Sequence, residues 1–502
     1  MANAPISMIR LHSTEHTEST QLLGLRPQVP GGTEHYRSRP TMANAVTLHR
    51  NCSRLAGLLL VTALPPAIHA DPGTIRGENS PVIDVSKAVY VKHPAPGAAA
   101  EVKSYYTKSR LVEIHTTKSG GHAPKNPEER ESTDDGRTWS MLQPSQETEF
   151  LPTGCNPRWG NNERVLYDPV AGLHVSVWWS ITTLKTAPGK HRYYNHAWYR
   201  LSEDDARTWA RPRQLRYEPG PVYDFETPYD ASFLEKNLTT VHAGCTMLHS
   251  NGTIVVATVG VKIPEGEGDP DPGGKYGSYD KPAHCRDLGI ACFVGRWDKQ
   301  KRLYDWKRGN CVWLPRSVVR RGFMEAAIAE LRDGRILVVC RGTGTAETPG
   351  RKWYAVSSDG GMTLSKVREL KYDDGTRFYS PSSYHRVLRS SATGKLYWVG
   401  NICPEPPQGN APRYPLVIAE IDEDVPALKR NTATVIDDCL PPDSKDLQLS
   451  NFSLIENRRT RCFELFLTRI GERALMKGPN KDVFPCKEFW TADCYKYTLT
   501  LK

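Results

Sequence analysis

Acidic and imidazole side chains recur at one fixed distance before a series of predicted turns. Turns that precede apolar strands begin at residues 171, 251, 333 and 393. Eight residues before them lie Glu163, Ala243 with His242 beside it, Glu325 and His385. If each turn closes a hairpin, residues at equal distances before it lie at the same end of equivalent strands. The spacing therefore predicts that two carboxylates and two imidazoles share one site.

These residue types can perform acid–base chemistry on a sugar. Cleavage of a glycosidic bond needs an acid that protonates the leaving oxygen and a base or nucleophile on the other side. Glu325 could fill one role, and Glu163 or an acid of segment 222–230 (Asp224, Glu226 or Asp230) could fill the other. Tyr384 or His385 could instead abstract a proton next to a carboxylate, as in a uronic-acid lyase. Both reactions stay open.

The elements that must position these residues are short strands entered through tight turns. Each of six such units consists of turn residues followed by an alternating or apolar stretch, which is typical of the second strand of a hairpin. Six four-stranded units in series predict an all-β fold, a six-bladed β-propeller of antiparallel blades. A β-sandwich would not explain six similar units. The units occupy residues 109–115, 171–179, 251–259, 333–341, 393–401 and 460–468.

The ends of the chain also carry strand signals. The C-terminal stretch CYKYTLTLK is strand-like, and it could close the ring by pairing near AVYVKH at residues 88–93.

A nine-residue motif that occurs three times also fits the propeller fold. Residues 132–140 read STDDGRTWS, residues 202–210 read SEDDARTWA and residues 357–365 read SSDGGMTLS. In a turn, Asp can accept backbone N–H bonds while Gly takes the positive-φ corner. No copy pairs a nucleophile with a base. The phrase is therefore predicted to form a scaffolding turn between outer strands.

The form Ser-x-Asp-x-Gly-x-Thr-Trp resembles the Asp-box of the sialidase (neuraminidase) superfamily, whose members are six-bladed propellers. The first copy matches fully, the second lacks the Gly and the third lacks the Trp. The resemblance covers most of residues 82–502 and implies a carbohydrate-active protein.

The resemblance also implies roles for individual residues. MEAAIAELRDGRILVVCR resembles the segment that carries a nucleophile-assisting glutamate and a substrate-binding arginine, which would be Glu325 and Arg341. GNICPEPPQGNAPRYPLVIAE resembles the segment of another such arginine, which would be Arg413. Arg158 could join these arginines in holding an acidic sugar through paired N–H donors, and His242 would lie beside them.

Other family positions differ. Asn451, in LSNFSLIEN, occupies the position where the family has its tyrosine nucleophile, and Asn cannot act as that nucleophile. The signature of the family's first arginine is missing, and the loop before the first Asp-box has no Asp to serve as acid/base.

Composition narrows the classes of partner. The net charge of +10 is spread along the chain without a basic block, so we expect no nucleic-acid partner. No cluster of His and Cys has zinc spacing, and we expect neither a metal nor a cofactor. Of twelve cysteines, removing Cys52 with a leader leaves eleven, so at least one thiol stays unpaired unless it bonds another chain.

The N-terminal region has the features of an export signal. Residues 48–70 have a basic start, a short apolar run and a small residue, Ala70, at the end. We predict a signal peptide over residues 42–70, preceded by a disordered leader or over-extended gene start at 1–41 and followed by the propeller at 71–502. The apolar run is too short to span a membrane comfortably.

Together these features predict a secreted or periplasmic, monomeric enzyme without membrane insertion. Its expected activity is that of an exo-acting, sialidase-like glycoside hydrolase on acidic glycans. A polysaccharide lyase on the same propeller and a non-catalytic glycan-binding propeller are the alternatives.

Overall fold

The computed structural model describes residues 82–119, 125–145, 165–187, 190–242, 244–261, 289–473 and 487–502. They form six antiparallel sheets, and the predicted six-bladed β-propeller is confirmed. Helical structure in these residues is confined to α1 (Ala231–Leu234) and two short 3-10 turns, Arg430–Thr432 and Lys487–Trp490.

The first three blades follow one pattern, in which the first strand in sequence starts the sheet and the fourth ends it. Blade 1 contains β2 (Ala99–Tyr106), β3 (Leu111–Lys118), β4 (Lys125–Ser132) and β5 (Gln143–Pro144). Blade 2 contains β6 (Leu166–Asp168), β7 (Leu173–Ala187), β8 (Lys190–Ser202) and β9 (Arg213–Gln214). Blade 3 contains β10 (Thr246–Leu248), β11 (Ile254–Val261), β12 (Gly289–Asp298) and β13 (Leu303–Arg308).

The next two blades keep this order, with one added strand. Blade 4 contains β14 (Phe323–Glu330), β15 (Ile336–Gly342), β16 (Lys352–Ser357) and β17 (Arg368–Glu369). Blade 5 contains β18 (Arg386–Arg389), β19 (Leu396–Asn401), β20 (Leu416–Asp422) and β21 (Ala427–Leu428), and β22 (Thr434–Asp437) also pairs with β20. All six predicted hairpin units correspond to the second strand of a blade.

Strands from both ends of the chain build the sixth blade. Its order is β23 (Ser453–Glu456), β24 (Phe463–Thr468), β25 (Cys494–Leu501) and then β1 (Ile83–Val91). The pairing of β1 with β25 runs from Ile83 opposite Leu501 to Val91 opposite Cys494. The predicted closure is therefore confirmed, and the N-terminal strand completes the last blade.

Apolar side chains join every neighbouring pair of blades. A single sheet cannot cover both of its own faces, so stacking each sheet on two neighbours buries the apolar residues of both faces. Core clusters contain the pairs Val112 and Val165, Val175 and Val256, Phe293 and Val338, Leu337 and Trp398, Val399 and Leu465, and Phe466 and Val102. Taken in order, these pairs return from blade 6 to blade 1 and close the ring.

The repeated phrase forms the predicted turn between the third and fourth strands. In the first copy, the Asp134 carboxylate accepts hydrogen bonds from Ser132 Oγ at 2.8 Å and from the backbone N–H of Thr138 at 2.9 Å. Gly136 supplies the corner with φ +88°, and Ala206 takes φ +64° at the equivalent position. These contacts stay within the turn, which agrees with a scaffolding role.

Removing β1 tests the closure of the ring. A chain that begins at residue 92 exposes one edge of β25, so it should unfold at a clearly lower temperature than a chain that begins at residue 80. Thermal unfolding followed by circular dichroism measures the difference. Identical melting temperatures would show that β1 contributes nothing to closure.

Candidate active site at the channel mouth

Glu325 lies near the start of the first strand of blade 4, in an unusual backbone conformation. The pairing of β14 with β15 shifts register between Met324, opposite Arg341, and Ala327, opposite Val339. Glu325 falls inside this bulge and has φ +48°. A positive φ is uncommon for a residue with a Cβ, and bulges often redirect side chains at functional sites. The bulge therefore gives Glu325 an orientation that a regular strand would not.

An ion pair joins Glu325 to Arg341. The Oε2 atom of Glu325 lies 2.7 Å from Nη1 of Arg341, and the Arg341 side chain is only 8% exposed. Nε of Arg341 donates to Ser382 Oγ at 2.7 Å, and that hydroxyl lies 2.9 Å from Thr343 Oγ1. Ser382 is fully buried. The guanidinium is therefore fixed from two sides.

Arg413 is a second guanidinium group near Glu325 and Arg341. Its Nε donates to the carbonyl of Asn410 and its Nη1 to Gln448 Oε1, both at 3.1 Å. Burial and the repulsion of Arg341 lower the pKa of Arg413 to about 10, and the attraction of Glu325 opposes them. Arg413 is therefore close enough to Arg341 and Glu325 to influence them electrostatically, while its hydrogen bonds go to Asn410 and Gln448.

The carboxylate of Glu325 is held in its charged form. Burial by itself would raise its pKa, but the attraction of Arg341, His242 and Arg413 is larger and lowers the pKa to about 2. His242 is half-buried, and its ring lies 5.6 Å from that of Trp179. Glu325 is therefore ionised at neutral pH.

His385, which the spacing predicted, and Tyr384 beside it are more deeply buried. His385 is fully buried, and its Nε2 lies 3.1 Å from the carbonyl oxygen of Val339. Burial, followed by the repulsion of nearby Lys352, lowers the pKa of His385 to about 3. Tyr384 packs on Phe452 with ring centroids 5.2 Å apart.

Lys352 is a charged residue at the site that the sequence analysis missed. It is completely buried, stands opposite Arg341 in the pairing of β15 with β16, and donates to the carbonyls of Pro381 at 3.0 Å and Ser383 at 2.8 Å. Burial and the repulsion of Arg341 lower its pKa to about 7. In the sequence, a charged residue at the start of the largely apolar stretch KWYAVS could have indicated a buried lysine.

Several predicted residues are not brought to this cluster by any described contact. Glu163 and Arg158 lie outside the described residues. Asp224 and Asp230 are exposed and hydrogen-bond within their own segment, to Thr227 Oγ1 at 3.0 Å and to the backbone N–H of Ser232 at 2.8 Å, respectively. Asn451 is exposed, with φ +61°.

The described part of the chain contains no group of three or more His, Cys, Asp or Glu side chains that could hold a metal ion. None of the helices in these residues is long and apolar enough to cross a membrane.

Comparison with known proteins reveals the fold rather than a close relative. No protein-family model matches the chain, and no curated protein matches it. A protein of unknown function from Dyadobacter fermentans matches with a TM-score of 0.52 and 14% identity, over 83% of this chain and 99% of that one.

Two enzymes match less well. A NanB sialidase from Streptococcus pneumoniae gives a TM-score of 0.46 at 12% identity, over 83% of this chain and 71% of that chain. An α-L-arabinofuranosidase from Fusarium graminearum gives 0.45 at 12%, over 83% and 97%. The six sheets of the chain and the match at a TM-score of 0.52 confirm the predicted resemblance at the level of the fold, a divergent six-bladed propeller.

Replacing Lys352 with Met should change how stability depends on pH. The folded-state pKa of about 7 lies below the ordinary lysine value of about 10.4, so between these pH values the unfolded chain binds more protons. The unfolding free energy of the wild type relative to Lys352→Met should therefore rise from pH 7 to pH 10, by up to about 1.4 kcal/mol per pH unit. Below pH 7 the difference should level off.

Urea unfolding at several pH values measures this difference. Lys366→Met, at an exposed position of the same blade, is the matched control. A constant difference between wild type and Lys352→Met across the range would contradict the burial of an ammonium group at this position.

Proposed function

We propose that this chain is an exported, monomeric glycoside hydrolase that acts on chain ends. It binds an acidic sugar at the site of Glu325, Arg341 and Arg413, which we call the channel mouth. The observation that carries the proposal is the charge of the site. Arg341 and Arg413 are two guanidinium groups that interact electrostatically with one carboxylate, Glu325, and Lys352, opposite Arg341 in the sheet, adds positive charge when it is protonated, below its pKa of about 7. An incoming carboxylate would balance this excess, and guanidinium groups bind carboxylates through paired N–H donors.

The protonation state of Glu325 limits its role. A carboxyl with a pKa of about 2 is ionised under working conditions and holds no proton to give to a leaving group. We therefore assign Glu325 the role of nucleophile, base or stabiliser of developing positive charge on the sugar. The general acid must then be another residue, and Glu163 is the candidate that the strand spacing supplies.

His385 and Tyr384 receive a supporting role in this proposal. Their burial, with exposed fractions of 0% and 6%, leaves no ring surface for a substrate. His385 is neutral because its pKa is about 3, and its ring is held by the carbonyl of Val339 and by Trp398. Arg158 and His242 would complete the rim that surrounds the acidic sugar.

Asn451 favours the alternatives that do not use a tyrosine nucleophile. A uronate lyase would use the arginines to hold the carboxylate while a base removes the neighbouring proton. A glycan-binding propeller would need the arginines alone. Release of the aryl group from acidic aryl glycosides supports hydrolysis, new ultraviolet absorbance of an unsaturated uronate supports elimination, and binding without turnover supports the third function.

Glu325→Gln should reduce the rate by at least about 100-fold on whichever acidic aryl glycoside the wild type cleaves. The substitution keeps the shape of the side chain and removes the negative charge that the transition state needs. Glu330→Gln, at the far end of the same strand β14, is the matched control and should retain the rate. An unchanged rate for Glu325→Gln would remove Glu325 from the mechanism.

A further inference from the structure

A second groove lies at the outer strands of the neighbouring blades 2 and 3, on residues that the proposed reaction does not use. It is an open groove with a volume of about 550 Å³. Residues that follow β9 and residues of β13 form most of its lining, which comprises Arg216, Tyr217, Glu218, Pro219, Trp306, Lys307, Arg308 and Met362.

Two aromatic rings of the lining are held firmly in place. The indole of Trp306 packs so closely on Gly295 that a Cβ there would come within 2.7 Å of it, and it lies 5.3 Å from the ring of Tyr199. The Tyr217 ring lies 6.1 Å from Phe293, and its hydroxyl donates to the carbonyl of Leu238 at 2.9 Å. Rings fixed in this way offer a surface for stacking without a large loss of conformational entropy.

The segment that carries Tyr217 is pinned by one buried amide. Oδ1 of Asn237 accepts hydrogen bonds from the backbone N–H groups of Tyr217 and Glu218, both at 2.7 Å. Asn237 is 1% exposed and has φ +56°. The backbone N–H of Asn237 donates in turn to the Glu218 carboxylate at 2.5 Å. This wall of the groove is therefore preformed.

The charge of the groove is positive. Three of its lining residues, Arg216, Lys307 and Arg308, are cations. No ion pair joins them to an acid in the described ranges, and Arg216 donates through Nη2 to the carbonyl of Gly220. The carboxylate of Glu218 is already occupied by the backbone of Asn237. The guanidinium of Arg308 lies 4.8 Å from the centre of the Tyr217 ring. This guanidinium stands over the face of the Tyr217 ring, so the groove presents a cation stacked on one ring together with the indole of Trp306.

We infer that this groove binds a carboxylated sugar unit of an acidic glycan. Aromatic rings stack on the apolar faces of sugars, while guanidinium and ammonium groups bind the carboxylate. The choice of a glycan over a single-stranded nucleic acid, which stacking and basic groups also suit, rests on the proposed function. On a long glycan, a second binding site on the same molecule raises the effective affinity.

The test compares two double variants by calorimetric titration with trigalacturonate, a short carboxylated oligosaccharide. The groove variant carries Lys307→Gln and Arg308→Gln. The control variant carries Lys299→Gln and Lys301→Gln, which make the same charge change at exposed positions of the same blade. Circular dichroism confirms that both are folded.

We expect the control variant to bind one more trigalacturonate per chain than the groove variant. If the channel mouth also binds the probe, the numbers are two and one; if the proposed function fails, they are one and none. The two failures are therefore distinguishable. Equal stoichiometry in both variants overturns the groove site. The proposal is also overturned if the control variant binds a single-stranded oligonucleotide but not trigalacturonate, and the groove variant loses that oligonucleotide binding.

Discussion

The buried ion pair between Glu325 and Arg341 is the contact on which the organisation of the candidate site depends. Placing two charges in a protein interior costs desolvation energy, and their attraction compensates only with good geometry and further hydrogen bonds. Arg341 makes such a bond by donating to the hydroxyl of Ser382. The bulge in β14 sets the orientation of Glu325. Removing either partner would leave an uncompensated buried charge and would therefore lower the stability of the fold.

Lys352 links this pair to the loop that supports it. Its ammonium group donates to the carbonyls on both sides of Ser382, at Pro381 and Ser383, while Ser382 itself holds Arg341. The same lysine stands opposite Arg341 in the sheet. Blade 4 therefore supplies the carboxylate, the guanidinium and the buried cation, and the segment leading into blade 5 connects them. The cluster is more positive than negative, which is the property that favours an acidic ligand.

Ring closure makes this local arrangement possible. Inner strands begin at equivalent positions only if every sheet stacks on two neighbours, and the β1–β25 pairing completes the last blade. The spacing rule that pointed to Glu325, His242 and His385 assumes hairpins that repeat with one geometry, and the second strands of the six blades confirm that repetition. Repetition of the hairpin turns was therefore enough to predict the fold, whereas a shared site for these three residues stays a prediction.

Depth within the ring was not predictable in the same way. Counting back from the turns placed Glu325 and His385 at one level, yet a bulge turns Glu325 toward Arg341 while His385 is buried against the backbone of Val339. Neither a bulge nor the packing of a neighbouring blade is encoded in the alternation of polar and apolar residues. The position of Lys352 in the site was not predictable because its partners are backbone carbonyls about thirty residues away, which carry no side-chain signal.

The central claim is that the channel mouth recognises a negative charge on a sugar. The most direct test compares two dissociation constants. One is measured for a short oligosaccharide of galacturonate, and the other for the neutral oligosaccharide of galactose with the same length. The measurement is made in the Lys307→Gln, Arg308→Gln background so that only the channel is observed. The account predicts at least about tenfold tighter binding of the carboxylated form, or about 1.4 kcal/mol. Equal affinity for the two forms, or binding of neither, would contradict it.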